Sequence, residues 1–218
     1  MPKKVVILID GQNLYYSLKS LNLIERDINW EKFLSYLLEP EDELIRTYWF
    51  RPAKLSEHKL NISIAKGIIN KDNLNNDPIE FLKRAEDWYS EHLEKFKKQD
   101  RKYDRLKLDY NNIAIIKKGI IKVNPWKQYY LGEKGVDVSL VINMVRLKDK
   151  VDKFILITGD FDYSEAIEYV KEDLITVHLV CLFKGEPPKH TGMSKELTLY
   201  ADKVIDVYES QLKTDFKK

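Results

Sequence analysis

The chain has 218 residues, 44% of them hydrophobic and 33% charged, with a formal net charge of only +2. That length and apolar content suit one globular domain with a real core and exclude a disordered or fibrous chain. The near-neutral balance excludes a global basic field, so any nucleic acid must be held by a local patch. The one cysteine, Cys181, lies in an apolar run and has no partner for a disulfide. With no leader pattern after MPKK and no run near the ~20 apolar residues of a membrane span, the expectation is a cytoplasmic protein that does not enter a membrane.

The first predicted strand, VVILID (5–10), is continuously apolar, as a strand buried on both faces requires, and it ends on Asp10. Helical patterns follow over Leu14–Leu21 and Trp30–Leu38, then a second strand, LIRTYWF (44–50). Arg51–Tyr110 breaks the rhythm, being far longer than one crossover needs, and reads as a helical insertion over about 52–110. Within it Asp77 can cap a helix, Pro78 suits the first helical position and Glu80 suits a capping box. Phe81, Ala85, Trp88, His92 and Phe96 then recur on one stripe, predicting a helix from Pro78 to about Phe96. That stripe is expected to bury Phe81, Ala85, Trp88 and Phe96 against the main domain or a second subunit, which would give a homodimer its surface. The following KFKKQDRKYDRLK reads as a mixed-charge solvated stretch.

NIAIIKKG (112–119) is a shorter strand, followed by a helix over Val138–Leu147. FILITGD (154–160) and TVHLVCLF (176–183) are strands separated by a helix over Ser164–Val170; a helix over Ser194–Tyr200 and a strand KVIDVY (203–208) close the pattern. Strands alternating with helices imply a three-layer α/β/α sandwich around a mainly parallel sheet, in a single domain over residues 1–218.

In such a sheet the C-terminal strand ends and the N-termini of the following helices share one rim, where ligands bind. Asp10 ends the first strand, Asp160 ends a later one, Asp162 stands where the next helix begins, and Asp137 opens the helix after the third strand. Each alone is an ordinary helix cap or turn residue. Gathered on one rim they repel, by about 4 kcal/mol for two unit charges about 4 Å apart at an effective dielectric near 20. Hard oxygen donors without His or Cys select Mg²⁺ or Mn²⁺, ions that serve displacement at phosphorus.

VILIDGQNL, EKGVDVSLVINM and LITGDFDYSEAI, in that order, closely resemble the three marker segments of the NYN domain. That is the PIN-like nuclease family that includes the LabA-like proteins. The resemblance covers Lys4 to about Val207 and is weakest over Arg51–Tyr110. It implies a PIN-like sandwich and a metal-dependent ribonuclease, in which Asp10, Asp137, Asp160 and Asp162 match the acidic catalytic and metal site. Asn13 matches the family's polar residue one turn into the first helix, and Thr158 takes the place of the usual Ser or Thr before the Gly-Asp; both are expected on the substrate side. Three positions depart from the pattern. Phe161 stands between the two aspartates where a small residue is usual, Glu165 replaces a common proline, and Asn143 stands where many members carry another Asp.

A nucleic-acid partner needs cations for phosphate and aromatic faces for bases. NPWKQYYLGEKG offers Lys127 and Lys134 beside Trp126, Tyr129 and Tyr130, and Tyr15 and Tyr16 flank the first acid motif. His58 and His190 lie in polar loops as candidate proton donors. The leading expectation is an endoribonuclease acting on RNA, with single-stranded DNA as a further substrate. The alternative is a nucleic-acid-binding or regulatory module with little or no turnover. A haloacid-dehalogenase type of phosphatase is disfavoured, because Gln12 stands where its second aspartate belongs, and no phosphate-binding Gly-rich loop with a Lys occurs.

Overall fold

The computed structural model describes residues 1–218. In chain order, β1 (Lys3–Asp10) leads into α1 (Gly11–Ser20), α2 (Trp30–Tyr36) and β2 (Asp42–Arg51). A short β3 (Lys54–Leu55), α3 (Ile62–Lys71) and the 32-residue helix α4 (Pro78–Asp109) precede β4 (Ile113–Lys117). A hairpin of β5 (Ile120–Asn124) and β6 (Tyr129–Lys134) runs into α5 (Val136–Leu147). Then come β7 (Lys153–Ile157), α6 (Ser164–Lys171), β8 (Thr176–Lys184), β9 (Lys189–His190), β10 (Lys203–Tyr208) and α7 (Glu209–Lys213).

The unbroken apolar run of β1 has its explanation in two cores, one on each face of the sheet. Val5, Ile7 and Ile9 pack with Leu14 and Leu18 of α1 and with Trp30 and Phe33 of α2. Val6 and Leu8 point the other way, into a core with Leu140 and Met144 of α5 and Ile167 and Val170 of α6. The period of two along a strand thus fills both layers, giving the α/β/α sandwich. Six strands pair in parallel in the order β10-β8-β7-β1-β2-β4, with β9 antiparallel to β8. Strands are added from β1 through β2 to β4 in one direction and from β7 through β8 to β10 in the other. The reversal falls between β1 and β7, so the crevice of this sheet opens at their C-terminal ends.

The insertion differs from its expected form in three ways. First, α4 does not stop near Phe96. Asp77 caps it through the Glu80 N–H at 3.0 Å, and it continues to Asp109 because its charge-rich second half finds partners. Asp100 accepts from Arg51 at 2.8 Å and Lys117 at 3.0 Å, Asp104 accepts from Lys117 at 2.7 Å, and Tyr103 is buried. Second, the stripe packs within the chain: Phe81 and Ala85 are buried, Phe81 against Ala65 and Ile69 of α3. Trp88 and Phe96 are only half-buried, Trp88 stacking on His92 at a centroid distance of 3.9 Å. Third, the segment is not wholly helical, since β3 pairs with β5 and β5 with β6 in a separate small sheet.

Ser194–Tyr200 is likewise no α-helix. It makes a single 3-10 turn at Leu197–Leu199, in which only Leu197 is buried. No helix is long and apolar enough to cross a membrane.

The rim opposite the crevice is held by a buried cation. The Lys153 ammonium, 1% exposed, donates to Glu39 at 2.6 Å and to both oxygens of Asp42 at 2.8 Å. Bonds from Lys153 and Lys203 hold the Glu39 carboxyl down at about 2. Lys153→Met leaves the fully buried Asp42 carboxylate without its cation, with an expected loss of about 3–5 kcal/mol in urea denaturation. The Lys153→Met/Asp42→Asn double variant should lose less; an equal loss would assign the cost to packing instead of charge.

Candidate functional site

Asp10 ends β1 at the strand-order reversal and is only 8% exposed. Its Oδ1 accepts the N–H groups of Gln12 (3.1 Å) and Asn13 (3.0 Å), so it caps α1 as well as facing the crevice. Its Oδ2 accepts from the Tyr163 hydroxyl at 3.2 Å and, more loosely, from Thr158 Oγ1 at 3.4 Å. Burial raises the Asp10 carboxyl above the ordinary range, and the backbone and Tyr163 bonds pull it back down. Burial also raises the Tyr163 phenol, so it stays protonated and remains a donor to Asp10. Close backbone approach makes this corner possible: a Cβ on Gly11 would stand 2.7 Å from Trp49 Nε1.

Three further acids share this field. The charges acting on Asp10 include Asp160, and those acting on Tyr163 include Asp160 and Asp137. Glu133, on β6, is the member that the sequence reading missed. Burial, then the charges of Asp10 and Asp137, lift its carboxyl to about 7, with Arg51 acting in the opposite sense. Its inward turn shows only in the fold: along β6 it is the one residue turned partly inward while its neighbours are exposed. Arg51 was missed too, although it follows a buried strand just as the acids do. It is 4% exposed, paired with Asp100 and stacked 4.2 Å from the Tyr103 ring centroid.

The four predicted acids do not gather as one coordination shell. No three His, Cys, Asp or Glu side chains are grouped closely enough to hold a metal ion. Asp137 is exposed and its Oδ1 accepts the Gly135 N–H at 3.1 Å. Asp160 is exposed and caps the turn that follows β7 through the Asp162 N–H at 3.1 Å. Asp162 is exposed in that turn, and the charges acting on Glu133 do not include it. Asp10, Glu133, Asp137 and Asp160 therefore meet as a charge cluster. The donor set, all carboxylate, suits a hard divalent cation.

Asn13 and Thr158 hold the site together from behind. Asn13 Oδ1 accepts the Gly159 N–H at 3.0 Å, tying α1 to the end of β7. Thr158 is buried, its hydroxyl lying between Asp10 and the Asp160 N–H. Lys134 ends β6 one residue from Glu133, and Lys127 lies in the β5–β6 turn; both are exposed. Of the aromatic residues in that hairpin, Trp126 stacks on Phe81 and Tyr130 packs against Trp88, which assigns them to packing. Phe161 is exposed and meets the Tyr200 ring edge-on at 5.9 Å. Glu165 is exposed on α6, and Asn143 donates to Ser139 O within α5. His58 contacts the Ser56 hydroxyl and His190 packs on Phe183.

A strap from Gly185 to Ser194 closes over this corner. The Ser194 N–H donates to Gly159 O at 2.9 Å and Ser17 Oγ donates to Thr191 O at 2.6 Å. A Cβ on Gly159 would overlap the Gly192 carbonyl oxygen and stand 2.7 Å from Met193 Cα, so only glycine lets the strap lie here.

The sequence model of the NYN domain matches residues 4–209. A crystal structure of a protein of unknown function from Vibrio parahaemolyticus RIMD 2210633 superposes with a TM-score of 0.56 at 17% identity, covering 100% of this chain and 97% of that one. At that identity the likeness speaks for the fold alone. No curated protein matches the chain.

Glu133 generates a pH dependence of definite sign. Its folded-state value, about 7, lies above the 4.5 of an ordinary glutamate, so the folded protein binds this proton more tightly than the unfolded chain. Its contribution to stability must therefore fall as pH rises from about 4.5 to about 7. In metal-free buffer, urea denaturation across that window should show a shallower decline for Glu133→Gln than for the wild type; parallel curves would contradict the placement of Glu133. Gly159→Ala should cost about 1–3 kcal/mol, the usual penalty of overpacking. An unchanged denaturation midpoint would mean that the strap does not seat on Gly159.

Proposed function

Given that the chain belongs to the NYN domain family, a PIN-like nuclease family, we propose that it is a metal-dependent endoribonuclease that uses Mg²⁺ or Mn²⁺. The observation that carries this reading is the buried Asp10 at the strand-order reversal, within the field of Asp160, beside Glu133, which lies in the field of Asp10 and Asp137. Asp10, Asp137 and Asp160, with Glu133, would hold the ion. The bound cation supplies neutralisation of phosphate charge and activation of a water.

The chain's own groups do the rest. Tyr163, Thr158 and two backbone N–H groups fix the Asp10 carboxylate in one orientation, which is the preorganisation such a site needs. The Asn13–Gly159 bond sets the spacing between the ends of β1 and β7. Arg51 limits the repulsion felt by Glu133. Lys134, exposed at the end of β6 and next in sequence to Glu133, is the cation assigned in this reading to a substrate phosphate. Asn13, Lys127 and Thr158 act at one remove, through position or general field. RNA is the substrate supported by the family, and single-stranded DNA is the natural competitor in the assay.

One observation favours the second reading, a nucleic-acid-binding module with little turnover: the acids are not grouped at coordination spacing. Cleavage of a labelled RNA with Mn²⁺, with Mg²⁺ and with EDTA separates the two. The nuclease reading expects cleavage with metal, none with EDTA, and loss in Asp160→Asn and Asp137→Asn, both exposed sites where asparagine leaves the fold intact. Asp10→Asn is the poorer test, because an amide cannot accept from all the donors that Asp10 satisfies. Lys134→Ala should weaken RNA binding and flatten the log–log salt dependence by roughly 0.7. A wild type inert on RNA and single-stranded DNA with either metal would hand the protein to the binding-module reading. Full activity in Asp160→Asn would refute the assigned site.

A further inference from the structure

The acid cluster accounts for one side of the crevice. On the other side of Asn13 lies a cleft of about 650 Å³ between α1 and the strap. Tyr16, Ser17 and Ser20 form one wall, and Lys184, Lys189 and His190 form the other. We infer that this cleft seats an unpaired nucleotide of single-stranded RNA next to the scissile phosphate, with its phosphate between Lys184 and Lys189 and its base against Tyr16. The inference rests on the nuclease reading for the position of the reacting phosphate, and its geometry is independent of that reading.

The two lysines carry it. They are direct cross-strand partners in the β8–β9 pair, so both ammonium groups project from one small patch. Like charges directly opposite one another in a sheet destabilise it. The acid whose charge reaches back to Lys184 shows the interaction from its own side: Glu209 feels Lys184 but is held by Lys213 at 2.5 Å and by the Gly185 N–H at 3.0 Å. Glu186 is the carboxylate that lines the cleft, one negative charge against two ammonium groups. A phosphate between the lysines removes their repulsion.

Position and shape supply the rest of the argument. Lys184 ends β8, on the same rim as Asp10 and Asp160. The cleft shares Asn13 with the acid cluster, and Asn13 contacts the residue before Asp160. Tyr16 is 58% exposed, its ring meeting only the edge of Tyr15 and leaving a face for a base. A space of this volume with polar walls on both sides suits a single nucleotide splayed out of a stack, and a double helix is too broad for it. The strap that forms the far wall is seated on Gly159 and Ser17, which sets the width of the cleft at that end.

The test is fluorescence anisotropy in EDTA, where cleavage cannot consume the probe. The probes are a labelled oligouridylate of about eight nucleotides and a blunt RNA hairpin. The wild type should bind the oligouridylate more tightly than the hairpin. Lys184→Ala/Lys189→Ala should weaken oligouridylate binding about tenfold and reduce the log–log salt slope by about 0.7, the share of the one phosphate that the two lysines hold on a single strand. Tyr16→Ala should weaken binding and leave the salt slope alone. Circular dichroism confirms that each variant folds. Unchanged binding by the folded double lysine variant, a hairpin bound more tightly than the single strand, or no binding of either RNA by the wild type overturns the inference. The companion cleavage assay keeps the two readings apart. A wild type that cuts RNA as well as its double lysine variant loses the cleft and keeps the nuclease. An inert wild type whose oligouridylate binding depends on the lysines loses the nuclease and keeps the cleft.

Discussion

Burial of β1 on both faces, with parallel partners on both edges, is the constraint from which the site follows. A strand so placed can present polar chemistry only at its ends, and its C-terminal end carries Asp10. The neighbouring β7 ends under the same constraint, which places Thr158, Gly159 and Asp160 against it. Water has little access to the Asp10 carboxylate, so its charge must be supported by protein donors. Gln12 and Asn13 supply them from α1, Tyr163 from the turn after β7, and Thr158 from the end of β7 itself. The acid is therefore held by both sides of the strand-order reversal, and its orientation is a consequence of the sheet.

The insertion, which at first resembles an appendage, completes the electrostatics of that rim. Arg51, where β2 ends, would be a buried cation without a partner if α4 stopped at its apolar half. Continuing the helix brings Asp100 to Arg51 and Asp100 and Asp104 to Lys117. Buried charge is tolerated only when paired, and the pairing leaves Arg51 within reach of Glu133. The small sheet has a similar role, because β6 carries Glu133 to the acids and delivers the chain to α5, where Asp137 begins the helix. The rim thus holds a balance in which Arg51 and Lys117 are spent on structure, while Lys134, Lys184 and Lys189 face outward.

Much of this was legible in the sequence, for a definite reason. Strands buried on both faces are written as unbroken apolar runs, and VVILID, FILITGD and TVHLVCLF leave no competing solution; the polar residues that end them had to lie on the rim. Asp10 and Asp160 were visible on that logic and Asp137 as the opening of a helix on the same rim, and the NYN match over residues 4–209 bears out the family that their setting suggested. The α4 start was equally plain, because Asp77, Pro78 and Glu80 encode a helix N-terminus through contacts a few residues apart.

What the tertiary structure alone decided depends on partners far apart in the chain. KFKKQDRKYDRLK has the composition of a solvated stretch, and only Arg51 and Lys117 on other elements make it helix with a buried Tyr103. Ser194–Tyr200 has a helical pattern, yet the strap must first reach back to Gly159 and Ser17, and only one 3-10 turn remains. Glu133 lay inside two segments already singled out, NPWKQYYLGEKG and EKGVDVSLVINM, but its inward turn depends on the pairing of β6 with β5. The same holds for Tyr163 and for the facing pair Lys184 and Lys189. Local sequence determined which residues end the strands; long-range pairing determined which of them face one another, because hydrogen bonds and charges act through space and not along the chain.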